Sequence, residues 1–144
     1  MAAPIFGDWT FRFSGFAVAQ DKASQQFNGL YNIVGIGRFN LSEDNRITGF
    51  HDSTIIRLSG PHNVVPQHSH YVWNGTYRLR DAGCGTFSVS FHPDHGDKPA
   101  NLVDEFDFVL AEPNRLWFIS NGPRILPEDI AVPEVVSAEA IRIS

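Results

Sequence analysis

The feature that most constrains this chain is a repeated alternation of apolar and polar residues over short segments. Stretches such as "GTFSVSF" (85–91) and "DEFDFVL" (104–110) place apolar residues at every second position. A period of two is that of a β-strand, whose successive side chains point to opposite faces of a sheet. No segment has a sustained helical period, and Gly, Pro, Asn and Asp recur between the alternating segments. The sequence therefore predicts an all-β fold.

Eight such segments follow one another along the chain. Their predicted bounds are 9–19, 30–40, 46–58, 69–79, 85–91, 102–110, 115–120 and 135–143. Tight turns, namely "SEDN", "RDAGC" and "AEPN", join strands 2–3, 4–5 and 6–7. The other connections are longer loops, namely "QDKASQQFNG", "SGPHNVVPQH", "HPDHGDKPAN" and "NGPRILPEDIAVPE". Tight turns and long loops thus alternate along the chain.

This order of connections predicts a closed barrel. In an antiparallel meander, successive connections fall at opposite ends of the sheet, so the tight turns collect at one end and the long loops at the other. Eight strands close a small up-and-down barrel whose interior can hold one small ligand. We therefore predict one domain, residues 1–144, folded as an eight-stranded antiparallel barrel with a ligand-sized lumen. The alternative for the same strands is a two-layer sandwich.

The inward face of the barrel is predicted from residue size and polarity. The aromatic residues of several strands share one face, so that face points inward, whereas Glu105 and Asp107 fall on the outward face. Arg57 lies near the mouth end of its strand, where it would meet a ligand oxygen or form a salt bridge on the rim. The predicted substrate-binding wall consists of Phe13, Ile33, Phe39, Ser53, Arg57, Trp73, Phe87, Phe91, Phe106 and Phe108.

Three polar side chains on the predicted inward face are candidates for catalysis. His51 lies in the middle of "ITGFHDSTI", and an imidazole titrates close to the pH at which proton transfer is useful. Tyr31 and Tyr71 are the other inward polar groups, and their hydroxyls can orient a substrate oxygen. We predict His51 as the acid–base residue, with Tyr71 and Tyr31 beside it. The alternative is a core histidine that is hydrogen-bonded to Tyr or Ser.

A second group of histidines, His68 and His70, forms the His-x-His spacing that opens the metal motif of cupin barrels. That motif also needs a glutamate a few residues later and a histidine on a later strand. Asn74 stands near the place of the glutamate, and residues 102–144 contain no histidine. His92 and His95 lie in a predicted loop. We predict no metal, with His70 outside the barrel and His68 at its mouth.

Charge and composition narrow the range of partners. The formal net charge is −5 without any run of basic residues, which argues against nucleic acid. Apolar runs are too short for membrane insertion. Cys84 is the only cysteine and "MAAPIFGDWTF" lacks a secretory signal pattern, so we expect a cytoplasmic location. "GIGRF" is not followed by the helix that a phosphate loop needs, and we predict no cofactor.

Several glycine and turn elements resemble those of small bacterial calycin-like barrels of the allene oxide cyclase group. They are "IVGIGRF", "RITGFHDSTI", "NGTYRLRDAGCGTFSV" and "FDFVLAEPNRLWFIS", which together span residues 30–119. The resemblance implies an apolar, often oligomeric barrel that binds a lipid-like or polyketide-like molecule. It also implies cyclisation, isomerisation or elimination without a cofactor. No catalytic residue is carried over from that group.

Two functions follow from these predictions. The first is a cofactor-independent cyclase, isomerase or lyase that holds a small hydrophobic substrate in the barrel. The alternative is a carrier or sensor of a small apolar ligand, and a third possibility is a barrel filled by its own side chains. A homo-oligomer is expected because many apolar residues fall on the outward faces. They are Val34, Ile36, Phe50, Ile56, Leu58, Trp117 and Ile119.

Overall fold

The computed structural model describes residues 5–20, 27–59, 66–93, 102–122, 124–125, 131–132 and 134–144. Within these residues the structure has ten strands. They are β1 (Gly7–Gln20), β2 (Phe27–Leu41), β3 (Arg46–Ser59), β4 (Gln67–Leu79), β5 (Cys84–Pro93), β6 (Leu102–Glu112), β7 (Arg115–Ser120), β8 (Arg124–Ile125), β9 (Ala131–Val132) and β10 (Glu134–Arg142). A 3₁₀ turn at Asp81–Gly83 is the one helical element there. No helix in the described ranges is long and apolar enough to cross a membrane.

Eight of the strands close into a barrel, as the sequence predicts. Each strand from β1 to β6 pairs with the next, β7 pairs with β10, and β10 returns to β1. All these pairings are antiparallel. This closed order excludes the two-layer sandwich, because the eight strands form one continuous hydrogen-bonded sheet and not two separate sheets with free edges.

The short strands β8 and β9 are absent from the sequence prediction, which assigns residues 121–134 to a loop. β6 has 11 residues and β7 has only 6, so β6 extends beyond its partner towards the long loops. Val103 in that extension pairs with Ile125 of β8, and β8 pairs with β9. A two-residue strand is too short to show an alternating pattern, and the unpaired edge of β6 is visible only in the fold.

The tight turns lie at one end of the barrel, which is closed. The indole N–H of Trp9 donates to the carbonyl of Ile5 at 3.0 Å, and both residues are fully buried there. The hydroxyl of Tyr77 donates to the carbonyl of Ser42, and this bond ties the β2–β3 turn to β4. The four predicted long loops lie largely outside the described residues. By the antiparallel order of the strands, the strand ends that these loops join lie at the opposite end of the barrel, the mouth.

Aromatic rings fill the half of the barrel next to the closed end. Phe87 and Phe108 stack with their ring centroids 4.4 Å apart, and Trp73 lies parallel to Phe39 at 6.1 Å. Inward-facing glycines give these rings room, since a Cβ at Gly85 would collide with the ring of Phe108. Alternation of large and small inward residues is how small barrels fill their interior.

Candidate functional site

The candidate site is centred on His51, in the middle of β3. This side chain points into the barrel and is only 4% exposed. Gly37 of β2 and Tyr71 of β4 pair with it on either side. Four aromatic rings surround the imidazole, with ring centroids at 5.2–5.8 Å. They belong to Phe13, Tyr71, Trp73 and Phe91.

A hydrogen bond orients the imidazole and selects its tautomer. The indole Nε1 of Trp73 lies 2.6 Å from Nδ1 of His51. An indole N–H is only a donor, so Nδ1 must be the acceptor and carry no proton. The neutral ring then holds its proton on Nε2. This assignment comes from the hydrogen-bond partner, which is how a histidine tautomer is identified when hydrogens are not seen.

This tautomer restricts the chemistry open to His51. Its Nε2–H can donate a hydrogen bond to an oxygen of a bound molecule. Its remaining lone pair, on Nδ1, is taken up by Trp73. The ring can accept a proton only after giving up that bond, since a doubly protonated imidazole has no acceptor. The geometry therefore favours a hydrogen-bond donor over a general base.

The interior beside His51 is small in the part of the chain that the structure describes. A cavity of about 20 Å³ lies there, which is room for one water molecule. It is lined by Phe11, Phe13, His51, Trp73, Phe91, Phe106, Phe118 and Val136. At this level the predicted lumen is thus reduced to a small cavity, because aromatic side chains occupy the interior of an eight-stranded barrel. A larger ligand could fit only on the mouth side of His51.

Several small side chains face inward on the mouth side of His51, beside the larger Ile33 and Ile55. Ser53 pairs with Gly35 on one side and with Ser69 on the other. On β1 the inward positions beyond Phe13 are Gly15 and Ala17. The hydroxyl of Ser53 is buried and has no hydrogen-bond partner among the described residues. A buried hydroxyl without a partner costs free energy, so a bound water or ligand group would stabilise it.

The three predicted catalytic residues are not brought together. Tyr71 is the direct neighbour of His51, but Tyr31 pairs with Arg57 near the mouth. Tyr31 lies six positions (31 to 37) from Gly37, the residue that pairs with His51. At about 3.3 Å per residue, that separation along β2 is roughly 20 Å between Cα atoms. Instead, the guanidinium of Arg57 lies over the ring of Tyr31, with its Cζ 5.6 Å from the centroid of that ring.

The predicted substrate-binding residues all lie on inward faces, but at different depths. Phe13, Trp73, Phe91 and Phe106 line the cavity beside His51. Ile33 and Ser53 are buried on its mouth side, whereas Arg57 is part-exposed there. The remaining members, Phe39, Phe87 and Phe108, pack against other rings towards the closed end.

The His-x-His pair lies outside the barrel. The ring of His68 is 2.8 Å from the hydroxyl of Thr54, and His70 is 2.6 Å from a carboxylate oxygen of Asp52. No group of three potential metal-binding side chains occurs in the described part of the chain. His95 lies outside the described residues. The absence of a metal stays a prediction.

Sequence reasoning missed several interior residues. Asp104 is buried on the inward face of β6, whereas Glu105 and Asp107 face outward as predicted. Asp104 lies two residues before Phe106 and therefore shares its face of the strand, and this alternation could have identified it as an inward residue. Phe11 and Phe118 line the cavity and share their faces with Phe13 and Leu116, so alternation could have identified them too.

Comparisons with known proteins add little to this picture. No family model matches the chain. No curated protein matches it either. The chain is similar to the solved structure of an S-type phycobiliprotein lyase from Guillardia theta, with 10% sequence identity and a TM-score of 0.42 over 97% of this chain and 89% of that one. We draw no functional conclusion from a likeness of this size. The barrel itself is shown, and membership of the allene oxide cyclase group stays a prediction.

Proposed function

We propose that this protein is a ligand-binding barrel. Its ligand would be a small, mainly apolar molecule with one hydrogen-bond acceptor, held on the mouth side of His51. The acceptor would take the hydrogen bond from Nε2 of His51. The observation that carries the proposal is the bond from Trp73 to Nδ1, which orients the imidazole and leaves its proton on the other nitrogen.

The distribution of residue sizes along the barrel supports this position. Aromatic rings fill the closed half, whereas Gly15, Ser53 and Ser69 face inward nearer the mouth. Ligand sites in proteins are mostly apolar with a few placed polar groups. The oriented imidazole and the buried hydroxyl of Ser53 would be those groups. The proposal involves no cofactor.

The second candidate is a cofactor-independent isomerase, cyclase or lyase. It is favoured by Tyr71, whose ring centroid lies 5.2 Å from that of His51. A neutral imidazole N–H can polarise a carbonyl group, and the adjacent phenol could take up a proton from the neighbouring carbon while passing its own proton to a water molecule. His51 would act as an electrophile here rather than as the base expected from the sequence. Tyr31 would have no part in the proton transfer.

Binding can be tested with 6-propionyl-2-dimethylaminonaphthalene, an apolar fluorescent ketone. The His51→Asn variant keeps an amide oxygen that can accept from Trp73, but its shorter side chain does not carry the amide N–H out to the position of Nε2. We expect the variant to bind the ketone about fivefold more weakly, the value of one hydrogen bond. Its affinity for 2-dimethylaminonaphthalene, which lacks the carbonyl, should stay unchanged. Equal loss for both dyes, or no binding by the wild type, would contradict the proposal.

The same ketone distinguishes an enzyme from a carrier. In D₂O, proton transfer at the carbon next to the carbonyl replaces hydrogen by deuterium, which mass spectrometry detects. If the barrel is an enzyme of this type, the wild type accelerates exchange over buffer and Tyr71→Phe abolishes the acceleration. Ketone binding with exchange at the buffer rate indicates a carrier.

A further inference from the structure

The outer wall formed by β1–β4 carries two exposed aliphatic side chains on β2. Ile36 is 65% exposed and Val34 is 46% exposed. They lie in an open depression of about 840 Å³, whose borders include Arg12 on β1 and Asp52 on β3. Apolar side chains that are grouped and rimmed by polar residues mark interaction surfaces more often than isolated ones do.

The strand register places opposite charges on the two sides of Ile36. Arg12 pairs with Ile36 across β1 and β2, and Ile36 pairs with Asp52 across β2 and β3. Adjacent strands are about 4.8 Å apart, so the two charged residues flank Ile36 at similar distances. Both charged side chains are more than half exposed, although Arg12 also contacts Glu139 and Asp52 contacts His70. The full row from β10 to β4 is Glu139, Arg12, Ile36, Asp52 and His70, in which a positive and a negative side chain flank Ile36 directly.

We propose that this wall, the β2 face, binds a second copy of the chain in a symmetric dimer. A two-fold axis that runs along β2, between two facing walls, exchanges the left and right sides of the row. It places Ile36 against its own counterpart and Arg12 of each copy opposite Asp52 of the other. The contact is self-complementary, as an interface with two-fold symmetry must be.

Charge is the reason to prefer a second copy over another partner. An acidic partner would fit only the Arg12 side of the β2 face, and a basic partner only the Asp52 side. The whole chain has a formal charge of −5, which opposes self-association elsewhere. In the row of Ile36 the formal charges of Arg12 and Asp52 cancel, and Arg38, two positions along β2, is the charged residue that the axis would bring near its own counterpart.

The exposed apolar residues on β7 lack this arrangement. Ile119 on β7 is 55% exposed, and its row neighbours are Asp107 and Ser137. A two-fold axis along β7 would place Asp107 opposite Ser137, which gives no pairing of opposite charges. Ile119 therefore provides a matched control for Ile36.

The test places a charge at residue 36, which would face residue 36 of the second copy across the proposed axis. Ile36→Lys and Ile36→Glu should each weaken the dimer by on the order of a hundredfold in Kd, because like charges meet across the axis. An equimolar mixture of the two variants should form dimers again, because unlike charges then meet. Sedimentation velocity measures association, and native mass spectrometry with one ¹⁵N-labelled variant identifies the mixed dimer.

The matched pair Ile119→Lys and Ile119→Glu should leave the dimer intact, and a melting curve of each variant checks its fold. A wild type that stays monomeric at high micromolar concentration would overturn the proposal. So would a mixture of the two Ile36 variants that stays monomeric, or a dimer that responds to Ile119 instead.

Discussion

At the scale of single residues, the central contact is the one between Trp73 and His51. Two neutral side chains meet in an apolar interior, and the donor can only be the indole. The indole therefore fixes one tautomer of the imidazole. Histidines that serve as general bases are usually oriented by a group that accepts from the ring, which is the reverse arrangement.

We predict that long-range ¹H–¹⁵N correlation spectra will show the Nε2–H tautomer for His51 in the wild type. Trp73→Phe removes the donor, so both tautomers should appear. The free energy of unfolding should fall by about 1–3 kcal/mol. The control is Trp9→Phe, which also loses a buried indole bond, in this case to the carbonyl of Ile5. It should be destabilised but keep the His51 tautomer. A mixture of tautomers in the wild type would contradict the assignment.

A second prediction at this scale concerns Tyr77. Burial, and then the charges of Asp44 and Glu43, raise the pKa of its hydroxyl. The folded state thus holds this proton more tightly than the unfolded state does, and its stabilising effect is complete below the unfolded pKa of about 10. Tyr77→Phe should cost about 1 kcal/mol at neutral pH. The difference in free energy of unfolding between the wild type and this variant should decrease as pH rises above 10. Urea unfolding at each pH measures it, and a difference that stays constant would refute the assignment.

At the scale of elements, glycines in the strands set how closely the rings pack. A Cβ on Gly35 would lie 2.7 Å from the backbone carbonyl oxygen of Asp52 and would also meet the ring of Phe13. Backbone cannot move aside as a flexible side chain can. The alternation of large and small inward residues is therefore a packing requirement of the paired strands.

We predict that Gly35→Ala lowers the free energy of unfolding by about 1–3 kcal/mol, as overpacking does. Gly122→Ala is the matched control, since a Cβ there meets nothing within 4 Å. Urea unfolding of the two variants measures the difference. Equal midpoints would show that the strands around Gly35 can shift to make room.

At the scale of the whole molecule, the barrel divides into a ring-filled closed half and a mouth half with smaller inward residues. The proposed ligand requires space in the mouth half. Ser53→Leu would occupy that space, so we expect ketone binding to fall by at least about tenfold, or about 1.4 kcal/mol. Stability should change little if the space exists. Ser137→Leu, on the exposed face of β10, is the control and should bind normally. Severe destabilisation by Ser53→Leu would show a packed mouth half.

Much of the fold could be predicted because alternation and turn residues are local signals. The seven main connections and the inward face of His51 follow from them. β8 and β9 could not be predicted, because they depend on the unequal lengths of β6 and β7. The separation of Tyr31 from His51 likewise depends on register, and register is set by pairing between strands.

The sequence by itself determined an all-β barrel, the end at which its turns gather, and the face each main strand turns inward. Only the tertiary structure decided that Trp73 reaches Nδ1 of His51, that Tyr71 and not Tyr31 is its neighbour, and that little space remains beside it. The physical reason is that a period of two specifies which side of a strand a residue occupies. Distances across the interior depend on how all eight strands are staggered and on how their rings fill the space between them.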